Sequence, residues 1–80
     1  MHERRIIPRQ RILKAGTIEF DGRGVECTVR NISEGGAGLE VASPLGIPHE
    51  ITLNILSRGV RRHCHVVWRR ERRIGVAFSQ

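Results

Sequence analysis

The sequence predicts an all-β fold, a small six-stranded antiparallel barrel. Apolar and polar residues alternate in several short segments, glycine-containing turns separate these segments, and no segment keeps helical spacing for more than a turn or two. Closing such a sheet into a barrel removes its exposed edges. The 80 residues, of which 39% are hydrophobic and 28% charged, suffice for one packed domain.

The N-terminal segment differs from the remainder of the chain. Residues 1–11 (MHERRIIPRQR) are strongly basic, contain Pro8 and lack sustained periodicity, so we expect a flexible basic arm. Residues 12–80 are expected to form the single barrel domain. Because the sequence given stops directly after the last predicted strand, little or no C-terminal helix is expected.

The first predicted element is a hairpin. In residues 14–21, Ile18 and Phe20 share one face of a strand, and residues 21–24 (DGRG) tolerate the positive φ angles of a tight turn. The second strand alternates apolar and polar residues, as a half-buried strand does. Its apolar positions are Val25, Cys27 and Val29.

The alternation breaks at Ile32. A change of phase at this point indicates a β-bulge or a strand end, where Asn31 and Ser33 would be aimed at a ligand. Apolar alternation resumes at Ala37, after a pair of glycines, and defines the third strand.

The remaining strands are predicted over residues 51–55, 63–68 and 74–78. Residues 43–48 (SPLGIP) connect the third strand to the fourth, and charged or glycine-containing turns separate the others. Trp68 falls on the apolar phase of the fifth strand, which favours a position in the core over one beside a ligand.

Two further features bear on location and redox state. Cys27 and Cys64 both lie on apolar phases, so we expect buried, reduced thiols. The chain has no apolar run long enough to cross a bilayer and no apolar stretch typical of a signal peptide, so we expect a cytoplasmic protein without a membrane span.

Basic residues are in excess and are almost all arginine. The formal net charge is +6, and Lys14 is the only lysine among 14 basic residues. Arginine presents a planar fork of donors that suits phosphates and guanine edges. An anionic partner is therefore expected.

Two constellations could bind such an anion. Arg5 and Arg9 are separated by three residues in the arm, with Arg4 adjacent. Asn31 and Ser33 face the same side of an extended chain, and Gly36 would let a backbone or a ligand approach closely. Taken singly, the first is typical of a solvated arm and the second of a turn.

Taken together, the two constellations resemble the PilZ domain family. Its members carry an Arg-x-x-x-Arg arm ahead of an (Asp/Asn)-x-Ser-x-x-Gly strand end, and residues 5–9 (RIIPR) and 31–36 (NISEGG) fit these motifs. The likeness extends to residues 66–69 (VVWR) and 74–78 (IGVAF), and so covers essentially the whole chain.

The resemblance implies a six-stranded PilZ-type barrel that binds cyclic di-GMP, a bacterial second messenger, with the arm wrapped over the nucleotide. Arg5 and Arg9 would bind phosphate oxygens or guanine edges, and Asn31 and Ser33 would orient the ligand beside Gly36. Arg4 and Trp68 are second-tier candidates for contact. No cofactor is implied.

Asn31 stands where many members of the family have aspartate. An amide oxygen accepts hydrogen bonds from guanine N–H groups less strongly than a carboxylate does, so lower affinity is expected than in aspartate relatives.

Two other clusters invite a functional interpretation. Strand alternation sends Cys64 to the face opposite His63 and His65, which makes a poor zinc site. Six arginines also gather around one predicted hairpin, where they form either a solvated turn or a docking surface for an acidic partner or nucleic acid. They are Arg61, Arg62, Arg69, Arg70, Arg72 and Arg73.

The sequence thus favours a receptor that signals through a partner protein supplied in trans. One alternative is a basic β-barrel that binds nucleic acid, although the chain has only three aromatic side chains for stacking on bases. Another is a PilZ-like interaction module that does not bind nucleotide. An enzyme is not expected, because Ser33 has no evident catalytic partners and no phosphate-loop or metal motif occurs.

Overall fold

A computed structural model describes residues 10–79, except for the side chain of Gln10. Six antiparallel strands form a closed barrel in the order β1-β2-β3-β6-β5-β4. The strands are β1 (Gln10–Phe20), β2 (Arg23–Ile32), β3 (Gly36–Val41), β4 (Glu50–Ile55), β5 (Val60–Arg70) and β6 (Arg73–Phe78). The all-β barrel expected from the alternating pattern is confirmed.

Strand β1 begins at Gln10, two residues before the barrel was expected to start. Gln10 pairs with Ile32 and Arg11 with Asn31, so the end of the basic segment already belongs to the sheet. Arg4, Arg5 and Arg9 lie outside the described residues.

The turns follow from residues that adopt positive φ. Asp21 and Gly22 have φ of 50° and 72° in the turn between β1 and β2, as a tight hairpin turn requires. A short 3-10 turn (Leu56–Arg58) ends at Gly59 with φ of 67° before β5. This 3-10 turn is the one helical element among residues 10–79, and no helix in that range could span a membrane.

The core consists of the inward-facing apolar residues of all six strands, together with Ile47 from the connection between β3 and β4. Its fully buried members include Ile18, Leu39 and Leu53. Cys27 and Cys64 are buried and unpaired, as expected, and desolvation raises the pKa of the Cys27 thiol to about 11.

Bulges change which face the following residues occupy. The register of β2 against β3 shifts between Val29 and Asn31, which confirms the predicted bulge. A second shift lies in β5 between Val66 and Trp68. Because side chains alternate with a period of two, one extra residue sends the next side chains to the other face.

Trp68 is accordingly not a core residue, and the prediction that favoured a position in the core was wrong. Its side chain lies outside the barrel, with 47% of its surface exposed, whereas Val66 on the other side of the bulge is buried. Because of the bulge, Val66 and Trp68 lie on opposite faces of β5, which simple alternation in the sequence did not predict.

Candidate functional site

A row of aligned residues crosses four strands on the outside of the barrel. Asn31 of β2 pairs with Gly38 of β3, Gly38 pairs with Gly75 of β6, and Gly75 pairs with Trp68 of β5. The two central residues have no side chains. The row therefore forms a glycine floor (Gly38 and Gly75) with an amide at one end and an indole at the other.

This row lies in an open cleft of about 390 Å³. That volume falls within the roughly 300–1,000 Å³ typical of small-molecule sites. The cleft brings together four of the residues selected from the sequence, namely Asn31, Ser33, Gly36 and Trp68.

The Asn31 amide lies against the backbone of Gly38. A Cβ added at Gly38 would be 2.8 Å from Asn31 Nδ2 and 3.0 Å from Oδ1, so any larger residue there would displace the amide. The absence of a side chain thus fixes where an amide donor and an amide acceptor are presented at the cleft.

Trp68 rests on the other half of the glycine floor. A Cβ added at Gly75 would overlap indole Nε1 and Cε2, so the ring lies directly over the Gly75 backbone. A partly exposed indole that is held in this way offers a flat surface on which a nucleobase can stack.

Ser33 closes the turn between β2 and β3. Its backbone N–H donates to the Gly36 carbonyl oxygen at 2.8 Å, and the Gly35 N–H donates to Ser33 Oγ at 3.3 Å. The hydroxyl group therefore helps to hold the turn, while Ser33 also lines the cleft.

Gly36 is required by the packing of two strands. A Cβ added there would overlap the carbonyl oxygen of Val76 in β6. Of the two approaches that the sequence left open, a backbone or a ligand, the structure shows the backbone.

Two arginines at the cleft were not selected from the sequence. Arg30 and Arg73 both line it, and both contact the carboxylate of Glu40. Arg30 Nη1 donates to Glu40 Oε1 at 2.9 Å, and Arg73 Nε lies 3.6 Å from the same oxygen. Glu40 therefore holds two guanidinium groups at the edge of one site.

Sequence spacing gave little sign of this cluster. Arg30 belongs to β2, Glu40 to β3 and Arg73 to β6, so only the strand order brings them together. The one available signal was the position of Arg30 directly before Asn31.

The start of β1 lies beside the same site. Arg11 pairs with Asn31, and residues paired across antiparallel strands point to the same face. Gln10 is opposite Ile32, so the point at which the basic segment joins the barrel is adjacent to the end of β2 that carries Asn31.

The other clusters singled out in the sequence are not assembled into sites. Cys64 is fully buried whereas His63 is exposed, which confirms that they occupy opposite faces. No group of three or more histidine, cysteine or acidic side chains within residues 10–79 is placed to hold a metal ion.

The six arginines assigned to one hairpin do not form one surface. Arg61 donates to Glu19 at 2.9 Å, and Arg62 stacks 4.6 Å from the centre of the Phe78 ring. Arg69 is eight positions beyond Arg61 along β5, roughly 26 Å away at the rise of about 3.3 Å per strand residue.

The carboxylate of Glu19 accepts a second hydrogen bond, from Asn54 Nδ2. The pKa of Glu19 lies below its usual value, chiefly because of this bond.

The fold and the cleft define a small β-barrel domain whose outer face carries a polar, arginine-flanked cleft. The sequence matches the family model described as PilZ domain over residues 3–80, and the chain belongs to the PilZ domain family. PilZ domains are binding and adaptor modules, and the family is associated with cyclic di-GMP. No curated protein matches the chain significantly.

Proposed function

We propose that this protein is a bacterial, cytoplasmic receptor that binds cyclic di-GMP between its N-terminal arm and the cleft, and that signals through a partner protein. The observation that carries the proposal is the register of β1 against β2. Gln10 directly follows Arg9 in the sequence and pairs with Ile32, so the point at which the arm joins the barrel lies beside the strand end that carries Asn31 and Ser33.

The cleft offers complementary groups for the guanine bases and for the phosphates of the dinucleotide. Asn31 presents a donor and an acceptor for a guanine edge, and the Trp68 indole provides a stacking surface. Arg30 and Arg73 supply guanidinium groups suited to phosphate oxygens. Arg5, Arg9 and the second-tier candidate Arg4 would add further charge from the arm.

Isothermal titration calorimetry of the full chain with cyclic di-GMP tests the proposal. We expect saturable binding, with cyclic di-AMP weaker by roughly tenfold or more, because adenine presents a donor where guanine O6 accepts from arginine. Short single-stranded oligonucleotides at physiological salt serve as the comparison. Equal affinity for oligonucleotides would favour the nucleic-acid alternative, and absence of heat with the dinucleotide would leave an interaction module.

The indole gives a second test. Trp68→Ala is expected to weaken cyclic di-GMP binding by roughly fivefold to a hundredfold, since stacking of a base on an aromatic ring contributes about 1–3 kcal/mol. The fold should be kept, because the ring lies on the surface. As Trp68 is the only tryptophan, its fluorescence in the unaltered chain should also change on titration.

Leu56→Ala is the matched control, because Leu56 is an exposed apolar side chain that does not line the cleft. It should bind with unaltered affinity. If the Trp68→Ala variant binds cyclic di-GMP as tightly as the parent does, the indole does not contact the ligand.

A further inference from the structure

The turn between β5 and β6 concentrates exposed positive charge. Arg69, Arg70 and Arg72 are exposed and surround a single acidic residue, Glu71. Within residues 10–79, the side chains of Arg70 and Arg72 make no ion pair, whereas Arg30 and Arg73 share Glu40. Arg70 and Arg72 are both exposed to solvent.

The backbone of this turn is held in place. The Val41 N–H donates to the Arg72 carbonyl oxygen at 2.9 Å, which ties the turn to the end of β3. Glu71 has φ of 54° within the tight turn. The charges are thus carried on a fixed support and not on a free loop.

An apolar side chain is presented beside one of these arginines, Arg69. Arg69 Nη1 donates to the Pro44 carbonyl oxygen at 3.2 Å, and the next residue, Leu45, is 87% exposed. Ile47 is buried in the core and its N–H donates to the same Pro44 oxygen at 3.3 Å, which anchors the loop. Leu45 therefore projects from a tethered loop that contacts Arg69 near the end of β5.

We propose that Leu45, Arg69, Arg70 and Arg72, here called the hairpin surface, dock an acidic protein segment that carries an apolar anchor. Charge complementarity selects an acidic partner, and arginine is enriched at protein interfaces. Leu45 decides between partner classes: an aliphatic side chain can pack on an apolar residue of a protein but offers no stacking surface to a nucleobase.

The hairpin surface continues directly into the cleft. Trp68 precedes Arg69 in β5, and Arg73 follows Arg72 at the start of β6. A partner on the hairpin surface would thus contact the strands that carry the nucleotide site. The link between partner docking and signalling rests on the proposed function. Docking itself is tested without the dinucleotide, so a failure of docking can be distinguished from a failure of nucleotide binding.

Fluorescence anisotropy with three labelled probes tests the surface at about 0.15 M salt. The probes are a glutamate-rich peptide with a central leucine, the same peptide with serine in its place, and a single-stranded DNA of equal charge. The parent protein should bind the leucine peptide most tightly. Tighter binding of the DNA would overturn the proposal in favour of nucleic acid.

Two variants of equal charge separate the surface from net charge. The double variant Arg70→Glu, Arg72→Glu should lower the affinity for the leucine peptide by roughly tenfold or more, because it places acidic side chains opposite an acidic peptide. The double variant Arg23→Glu, Arg58→Glu changes exposed arginines at or beside other turns. Because salt screens these distant charges, its affinity for the leucine peptide should fall by less than about twofold. Equal losses in both variants would overturn the proposal.

The role of Leu45 has its own readout. Leu45→Ser should lower the affinity for the leucine peptide several-fold and leave the affinity for the serine peptide unchanged, because only the leucine peptide loses an apolar contact. A variant that binds both peptides like the parent would contradict the apolar anchor.

Discussion

Gly36→Ala is expected to lower the thermal unfolding midpoint by roughly 4–24 °C. The added methyl group would overlap the Val76 carbonyl oxygen, so β3 and β6 must separate where Gly36 pairs with Ala77. Overpacking of this kind costs about 1–3 kcal/mol, and each kcal/mol shifts the midpoint by about 4–8 °C in a domain of this size. Circular dichroism melts of the full chain measure the effect.

The adjacent glycine provides the control. A Cβ at Gly35 would meet no atom within 4 Å, so Gly35→Ala should unfold close to the parent temperature. If both variants melt like the parent while Gly36→Ala alone loses affinity for cyclic di-GMP, Gly36 acts through the ligand and not through strand packing.

Arg9→Ala, and separately Arg5→Ala, are expected to weaken cyclic di-GMP binding by roughly tenfold to a hundredfold, because each loses charge-assisted hydrogen bonds worth about 1.5–3 kcal/mol. The melting temperature should stay unchanged, since every buried core residue described lies between Ile18 and Val76. Calorimetric titration and circular dichroism measure the two quantities.

Arg23→Ala is the comparison for this pair, because it removes an exposed arginine at a different turn. Its affinity should lie within about twofold of the parent, as expected for loss of one distant, screened charge. If both arm variants bind cyclic di-GMP with the affinity of the parent, the arm does not contribute to the site. A lost spectrum would show that these arginines stabilise the fold.

Much of the fold was predictable because strand pairing here joins mostly neighbouring segments. Two-residue alternation located all six strands, and Gly22 and Gly59 marked turns in which positive φ is required. The polar residues of the cleft were found for a related reason. Asn31 and Ser33 stand where alternation fails, and a bulge occurs at that point.

The position of Trp68 was mispredicted because a bulge in the middle of a strand has no necessary sequence signal. Val66 and Trp68 are two residues apart and apolar, which alternation assigns to one face. The register shift against β6 puts them on opposite faces. This shift also supplies the cleft with an aromatic wall that sequence analysis favoured for the core.

The sequence by itself determined the number of strands, the turns, most of the buried residues and the family motifs, because these depend on local periodicity and on backbone conformation. Only the tertiary structure decided that Asn31 and Trp68 share a glycine floor and that Glu40 gathers Arg30 and Arg73. Those contacts join residues of β2, β3, β5 and β6. Strand order and register in the closed barrel create them, and neither is encoded in the spacing of residues along one strand.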